Sequence, residues 1–449
     1  MKEPLTLSVA DDELALLTDL YQLTMTQAYW KEGMHDTPAT FSLFFRQLPP
    51  SRRFILACGQ QHAAATLSQL HFNDSAIEKL ASTGRFDDDF LNWLSNWRFS
   101  GDIWTVPEGT PVFPHQPLLE VDAPIAEAQL LESLIMNLVQ LETVLASKAV
   151  RMAWAAGDRP VVDFGMRRVH GIDAAVRGVR AYKTAGLSGT SNVLGGLRHG
   201  LALNGTMAHS YILAHDDELS AFRAFARHYP NTTLLVDTYD TLQGVKNVIE
   251  ILSDSPSLSV SSIRLDSGDL GSLAKRARTL LDDAGYSAIK IIASSGLDEV
   301  SIADLIAQGA PIDAFGVGTQ MGVSADAPVI DMSYKLVEYA GEPRIKHSPG
   351  KTNLPGRKQI YRRRDTQGQY LGDTIAQRDE TGIDGEALLV PTVTRGAINR
   401  DVMDDAEHAR TRVAEALPCF PGTVTSLADG ESDYPVELSD ALAHLSSKV

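Results

Sequence analysis

Between Asp158 and Thr319 the chain repeats one local plan, and that plan restricts the fold more than any other feature. Short apolar runs end in small, polar or charged residues. Val161–Phe164 leads into Gly165–Arg168, Leu234–Val236 into Asp237, and Ile263–Leu265 into Asp266–Gly268; Ile289–Ile292 leads into Ser294–Gly296, and Ala314–Phe315 into Gly316–Thr319. Helical patterns follow three of these runs, over Thr241–Leu252, Leu270–Ala284 and Asp298–Gln308. From Asp237 to Asp266 is 266 − 237 = 29 residues, and from Asp266 to Ser295 is 295 − 266 = 29, which suits one strand and one helix per step. Strands alternating with helices of this length predict βα units and a parallel sheet. In a βα barrel the active site is built at the carboxyl ends of the strands, and the polar residues here stand at those ends.

The remaining segments predict something different. Leu14, Leu17, Tyr21, Met25 and Ala28 recur at helical spacing, so Glu13–Trp30 reads as one helix. Ala39–Phe45 reads as a strand and Ser75–Trp97 as helical. Pro107, Gly109, Pro111, Pro114 and Pro117 punctuate Gly101–Asp122, which predicts a compact antiparallel β-subdomain. Helical pattern resumes from Ile125 to Ala156. Lys346–Arg364 is basic and rich in Gly and Pro, so it reads as a loop; beyond it come one helical stretch, Asp404–Ala416, and a polar tail. A length of 449 residues suits two or three domains, or one barrel with an attachment. The expected division is 1–124, 125–345 and 346–449, the last packing back on the first.

Composition removes whole classes of function. Hydrophobic residues at 44% and charged residues at 22% are globular values, not those of a disordered chain. The net charge is 40 − 57 = −17, which argues against a nucleic-acid surface but allows a small anionic substrate in a locally basic site. Cys58 and Cys419 stand far apart, with no metal or disulfide framework spacing. Met1–Asp12 carries Lys2, Glu3, Asp11 and Asp12 and does not read as a signal peptide. No uncharged apolar run approaches the ~18 residues of a membrane span, so the expectation is a cytoplasmic protein without membrane contact.

The strand ends carry the chemistry. Phe315-Gly316-Val317-Gly318-Thr319, with Gly322 beyond, lets backbone N–H groups approach an anion and adds a hydroxyl. Arg167, Arg168 and Arg264 suit a carboxylate or phosphate. His209, in Gly205-Thr206-Met207-Ala208-His209-Ser210, can serve as base, nucleophile or ligand. A His209/His215 metal pair is unattractive, because a spacing of six does not stack on a helix. Asp237 and Asp266 can hold sugar hydroxyls, hold Mg²⁺ through water, or stabilise a cationic transition state, whereas Asp240 and Asp269 directly precede helices and suit N-caps. Gly350-Lys351-Thr352 echoes a phosphate-binding P-loop, but Ile345 stands where the first glycine is required. Taken singly, each motif also has a structural reading as a turn, an ion pair, a hydrogen-bonded histidine or a helix cap.

Taken in order, they resemble the nicotinate phosphoribosyltransferase family. The matching segments are Thr18–Met25, Phe164–Arg168, Gly189-Thr190-Ser191-Asn192, Gly205–Ser210, Leu235–Asp240, Arg264–Leu270, Phe315–Thr319 and Tyr334-Lys335-Leu336-Val337. The resemblance implies a type II phosphoribosyltransferase fold, an irregular βα barrel with an α/β N-terminal domain and C-terminal additions. It implies that nicotinate and 5-phosphoribosyl 1-diphosphate give nicotinate mononucleotide and diphosphate for NAD biosynthesis by salvage, the Preiss–Handler route. ATP hydrolysis would be coupled through a phosphohistidine at His209. The family's sites map onto Tyr21, Phe164, Arg167, Thr206 and Arg264 around nicotinate, and onto Ser295, Gly296, Gly318 and Thr319 around the phosphoribosyl group. Asp237 and Asp266 would flank the ribose and diphosphate, with Mg²⁺ held without direct protein ligands. The tyrosine of the first helix would enter a partner's site, which implies a homodimer.

Four rivals remain in view. Nicotinamide-using relatives carry an aspartate where Ser191 stands, and a carboxylate there would repel nicotinate. Quinolinate phosphoribosyltransferases use no ATP, so the His209 segment argues against them. Type I phosphoribosyltransferases need a second acid where Thr238 stands. A non-catalytic barrel that binds the same ligands would be expected to lack His209, Asp266 or Arg264, and all three are present.

Overall fold

The computed structural model describes residues 9–348 and 351–449. The Met1–Lys2–Glu3 start of the segment read against a signal peptide, and Gly350 of the rejected P-loop, lie outside these residues. Two compact units emerge, 1–147 with 327–449, and 148–326. The expected boundaries at 124/125 and 345/346 differ from this division for visible reasons. Leu138, Val139 and Val144 of the helix Glu132–Ala156 belong to the first unit's core. Met332–Tyr339 is a strand antiparallel to Pro38–Phe45, so it too is part of that unit's sheet.

The second unit is a parallel sheet in the order Gly189–Thr190, Val161–Asp163, Ala314–Val317, Lys290–Ala293, Val260–Leu265, Thr232–Leu235. The last strand of the series, Ala314–Val317, pairs with the first, Val161–Asp163, as barrel closure requires. Gly189–Thr190 and Thr232–Leu235 stand at opposite edges, so the sheet is a curled half-barrel and not a closed one. The helices form where their periodicity places them. Thr241–Asp254 buries Val245, Val248, Ile251 and Leu252, and Leu270–Asp283 buries Ala274, Ala277 and Leu281. Asp240 accepts from the Gln243 N–H and Asp269 from the Ser272 N–H, so both are the N-caps expected of them, each worth about 1 kcal/mol. Asp298 and Ser301 form a reciprocal capping box at the start of Glu299–Ala307. This frees Asp237 and Asp266, three residues upstream of the first two caps, from any capping duty.

The first unit is built on a seven-stranded antiparallel sheet. Its order is Glu342–Pro343, Met332–Tyr339, Pro38–Phe45, Leu119–Pro124, Asp102–Thr105, Val390–Thr394, Ala397–Ile398. Gly101–Asp122 is therefore not a separate β-subdomain: Asp102–Thr105 and Leu119–Pro124 pair into this larger sheet, and Pro111–Val112 pairs with Ile55–Leu56 in a small two-stranded one. The expected first helix is interrupted. A 3-10 turn covers Asp11–Leu16, and the α-helix begins only at Leu20. Asp19 is held extended there: its N–H donates to Ser133 Oγ, and Ser133 Oγ–H donates back to its carboxylate at 2.6 Å. Ser75–Trp97 is likewise two helices, Asp74–Ser82 and Asp88–Asn96, parted at Gly84 with φ of 65°.

The expected Lys346–Arg364 loop ends early. Lys358–Arg364 is a strand antiparallel to Tyr370–Gln377. Lys358 is buried on a carboxylate, 3.0 Å from Glu120, and is not an exposed loop charge. The polar tail also has structure, a strand Val436–Leu438 and a helix Asp440–Lys448 capped by Ser439. No helix among the described residues is long and apolar enough to cross a membrane.

Candidate active site

The carboxyl ends of the second unit's strands bring Phe164, Thr206, His209, Asp237 and Asp266 into one network with Arg264 at its centre. Its Nε donates to Ser294 Oγ at 2.8 Å, one terminal nitrogen to Thr206 Oγ1 at 3.1 Å, and the other to Asp266 Oδ1 at 2.8 Å. The guanidinium lies 5.1 Å from the centroid of the Phe164 ring, within cation–π range. Three hydrogen-bond partners and one aromatic face hold it in one orientation. Phe164 holds its place because residue 316 is glycine: a Cβ there would come within 2.5 Å of the ring.

His209 opens the short helix His209–Leu213. Its Nδ1 is 3.1 Å from Thr238 Oγ1 and its Nε2 is 3.9 Å from Asp266 Oδ2, and the side chain is 42% exposed. It is oriented from one side and reachable from the other. Burial works against ionisation of Asp266. The Ser294 hydrogen bond, the bond and charge of Arg264, and the charge of His209 outweigh it and hold the carboxyl below the ordinary aspartate range.

Asp237 sits on the next strand end. Its Oδ2 accepts from the Asp266 N–H at 3.0 Å and from Ser267 Oγ–H at 2.5 Å. Its Oδ1 is buried and has no hydrogen-bond partner among the described residues. A buried carboxylate oxygen left over in this way calls for a ligand, such as a sugar hydroxyl or a water on Mg²⁺. No cluster of three or more His, Cys, Asp or Glu that could cage a metal occurs among the described residues.

Ser295 adopts φ of 107° and Gly296 follows at 62°. A serine in that region is strained, and such strain concentrates where backbone groups are aimed at a ligand. Gly318 immediately precedes the short helix Thr319–Gly322. Arg167 lies on the exposed 3-10 turn Met166–Arg168, outside the bonds that organise Arg264. Tyr21 belongs to the first unit, half exposed on Leu20–Lys31.

Several members were not singled out from sequence. Ser294, Thr238 and Ser267 each supply a hydroxyl that ties an arginine, a histidine or an aspartate in place. Their one signal is position at a strand end of the βα repeat: Thr238 and Ser267 directly follow Asp237 and Asp266, and Ser294 directly follows the strand Lys290–Ala293.

A half-barrel with charge gathered at its strand ends is the plan of the type II phosphoribosyltransferases. Similarity to known proteins narrows this. Residues 16–140 match the nicotinate phosphoribosyltransferase (NAPRTase) N-terminal domain and residues 160–357 the nicotinate phosphoribosyltransferase (NAPRTase) family. The chain is 48% identical over 429 residues to nicotinate phosphoribosyltransferase pncB2 of Mycobacterium tuberculosis, covering 95% of this chain and 92% of that protein. It is 40% identical over 387 residues to the nicotinate phosphoribosyltransferase of Bacillus subtilis, covering 84% and 79%. The crystal structure of human nicotinic acid phosphoribosyltransferase matches with a TM-score of 0.84 at 25% identity, over 96% of this chain and 99% of that one. The chain belongs to the nicotinate phosphoribosyltransferase family.

Proposed function

We propose that this chain joins nicotinate to 5-phosphoribosyl 1-diphosphate, releasing diphosphate and nicotinate mononucleotide for NAD biosynthesis by the Preiss–Handler salvage route. The observation that carries this reading is Arg264, fixed over the face of Phe164 and bonded to Thr206. A flat aromatic acid needs both an aromatic face and a fixed cation for its carboxylate. Phe164 stacks on the pyridine ring, with Arg264, Thr206 and Arg167 directed to the carboxylate. Ser295, Gly296, Gly318 and Thr319 receive the phosphoribosyl group.

The pyridine nitrogen attacks C1 of the ribose while the C1–O bond to diphosphate breaks. That nitrogen carries no proton, so no general base is required. The site supplies orientation and negative charge beside an oxocarbenium-like centre, which suits Asp237 and Asp266. Mg²⁺, held through water by Asp237 and Asp266, would neutralise the leaving diphosphate. ATP is a co-substrate, and His209 accepts its γ-phosphoryl group; the exposed imidazole, braced by Thr238 and Asp266, supports that role. Tyr21 completes the nicotinate site of a partner copy in a homodimer. The protein works in the cytoplasm.

The test supplies the pure protein with phosphoribosyl diphosphate, Mg²⁺ and ATP, alternating nicotinate with nicotinamide. Mononucleotide formation from nicotinate is expected. Preference for nicotinamide would contradict the reading and make Ser191 a misleading clue.

A further inference from the structure

The second unit holds a buried carboxylate that the mechanism above does not use. Asp163, at the end of Val161–Asp163, is 2% exposed. Its Oδ1 accepts the Gly165 N–H at 2.7 Å, and its Oδ2 accepts Thr190 Oγ1–H at 2.7 Å. Thr190 is fully buried, and its Oγ1 also accepts the Asn192 N–H at 3.0 Å. The Asp163 carbonyl accepts the Ser191 N–H at 2.8 Å. Asn192 in turn caps Val193–His199 by accepting from the Gly195 N–H.

The two groups that donate to the Asp163 carboxylate, a backbone N–H and a hydroxyl, are both neutral. Burial pushes its carboxyl above the ordinary range, although the bonds from Thr190 and Gly165 work the other way. A buried charge held by neutral donors is a costly way to tie two strands together. An asparagine would fill the same volume, but it offers one acceptor oxygen where aspartate offers two. The two acceptors here face two different segments. One is the turn that carries Phe164 and Arg167, and the other is the strand end that carries Ser191.

We propose that Asp163 and Thr190 are a positioning pair for the nicotinate half of the site, setting the Phe164–Arg167 turn against the Ser191 strand end. They touch no reacting atom. Asp163's side-chain bonds end at Gly165 and Thr190, whereas His209 is braced by Thr238 and Asp266. The pair therefore governs how nicotinate is held and leaves phosphoryl transfer to His209 unaffected. The inference rests on the nicotinate reading given above.

The experiment compares full-length wild type with Asp163→Asn, Thr190→Val and Thr190→Ser. It measures KM for nicotinate, KM for phosphoribosyl diphosphate, and ³²P labelling of the protein from ATP. Asp163→Asn should raise the nicotinate KM about tenfold or more, with the other two readouts changed less than about twofold. Thr190→Val should act in the same direction and more weakly, and Thr190→Ser, which keeps the hydroxyl, should stay near wild type. A merely structural pair would depress all three readouts together, and that outcome overturns the proposal. An unchanged nicotinate KM in folded Thr190→Val also overturns it, so the test stands even where Asp163→Asn fails to fold. Absence of nicotinate turnover in the wild type would instead sink the functional reading itself; normal wild-type turnover with uniform losses in the variants would sink only this inference.

Discussion

Each unit contains an arginine–aspartate pair, and the two pairs have opposite surroundings. Arg362 and Asp373 in the first unit are sealed, with side chains 2% and 0% exposed. The Arg362 guanidinium lies within 6.0 Å of the ring centroids of Phe113, Tyr370, Phe420 and Tyr434, and Asp373 also accepts from Gln116 and Tyr434. Arg264 and Asp266 in the second unit are only partly covered, at 14% and 29%. Their neighbours are hydroxyls, one imidazole and a carboxylate with an unsatisfied oxygen. The same ion pair is a fastener where every carboxylate lone pair is used, and keeps acceptors open to a ligand where some remain. Completeness of the hydrogen bonding separates the two, because a sealed pair has nothing left to offer a ligand.

That contrast can be broken by experiment. Arg362→Ala should be the most damaging change, leaving Asp373 buried without its cation at a cost of about 3–5 kcal/mol, read as a lower denaturant midpoint. Arg264→Ala should do the reverse. Its kcat/KM for nicotinate should fall by about 10²–10³, the scale of a lost charge-stabilising donor, while the denaturant midpoint moves little. Similar losses of stability in both variants would erase the distinction. A smaller effect is expected from Thr238→Val, which unties His209 Nδ1 and should lower phosphorylation of the protein by ATP about tenfold without altering the midpoint.

The smallest effect concerns pH. Asp266 is held below the ordinary aspartate range, so its pairing contributes stability that is present above the unfolded-state value and lost as pH falls through the folded-state value. Between about pH 5 and 8 this carboxylate stays ionised, and Asp266→Asn should leave the pH dependence of unfolding unchanged in that window. A slope removed by the substitution would contradict the assignment.

The second unit was far more legible in sequence than the first, for a physical reason. Parallel strands buried on both faces are continuous apolar runs that stop abruptly, so Asp237, Asp266 and Arg264 mark their own strand ends. The N-caps Asp240 and Asp269 were legible by the same punctuation. The antiparallel sheet gave no such signal, because its partners lie far apart along the chain: Pro38–Phe45 pairs with Met332–Tyr339, and Asp102–Thr105 with Val390–Thr394. Lys358 looked like a loop charge because Glu120, its partner, is 238 residues away. The break before Leu20 was hidden likewise, since Ser133 holds Asp19 from a distant helix. Within the network, the charged residues and Thr206 stood out in the sequence, whereas the hydroxyls of Ser294, Thr238 and Ser267 did not. A serine or threonine at a strand end is ordinary until the group it binds is in view.

The central claim is that His209 couples ATP to nicotinate transfer at this network. The most direct measurement is the number of ATP molecules consumed per nicotinate mononucleotide formed, for wild type and His209→Ala in the same reaction. The account predicts nicotinate-dependent ATP loss in step with product for wild type, and a variant in which any remaining product forms without ATP consumption. Coupling that survives in the variant would contradict it.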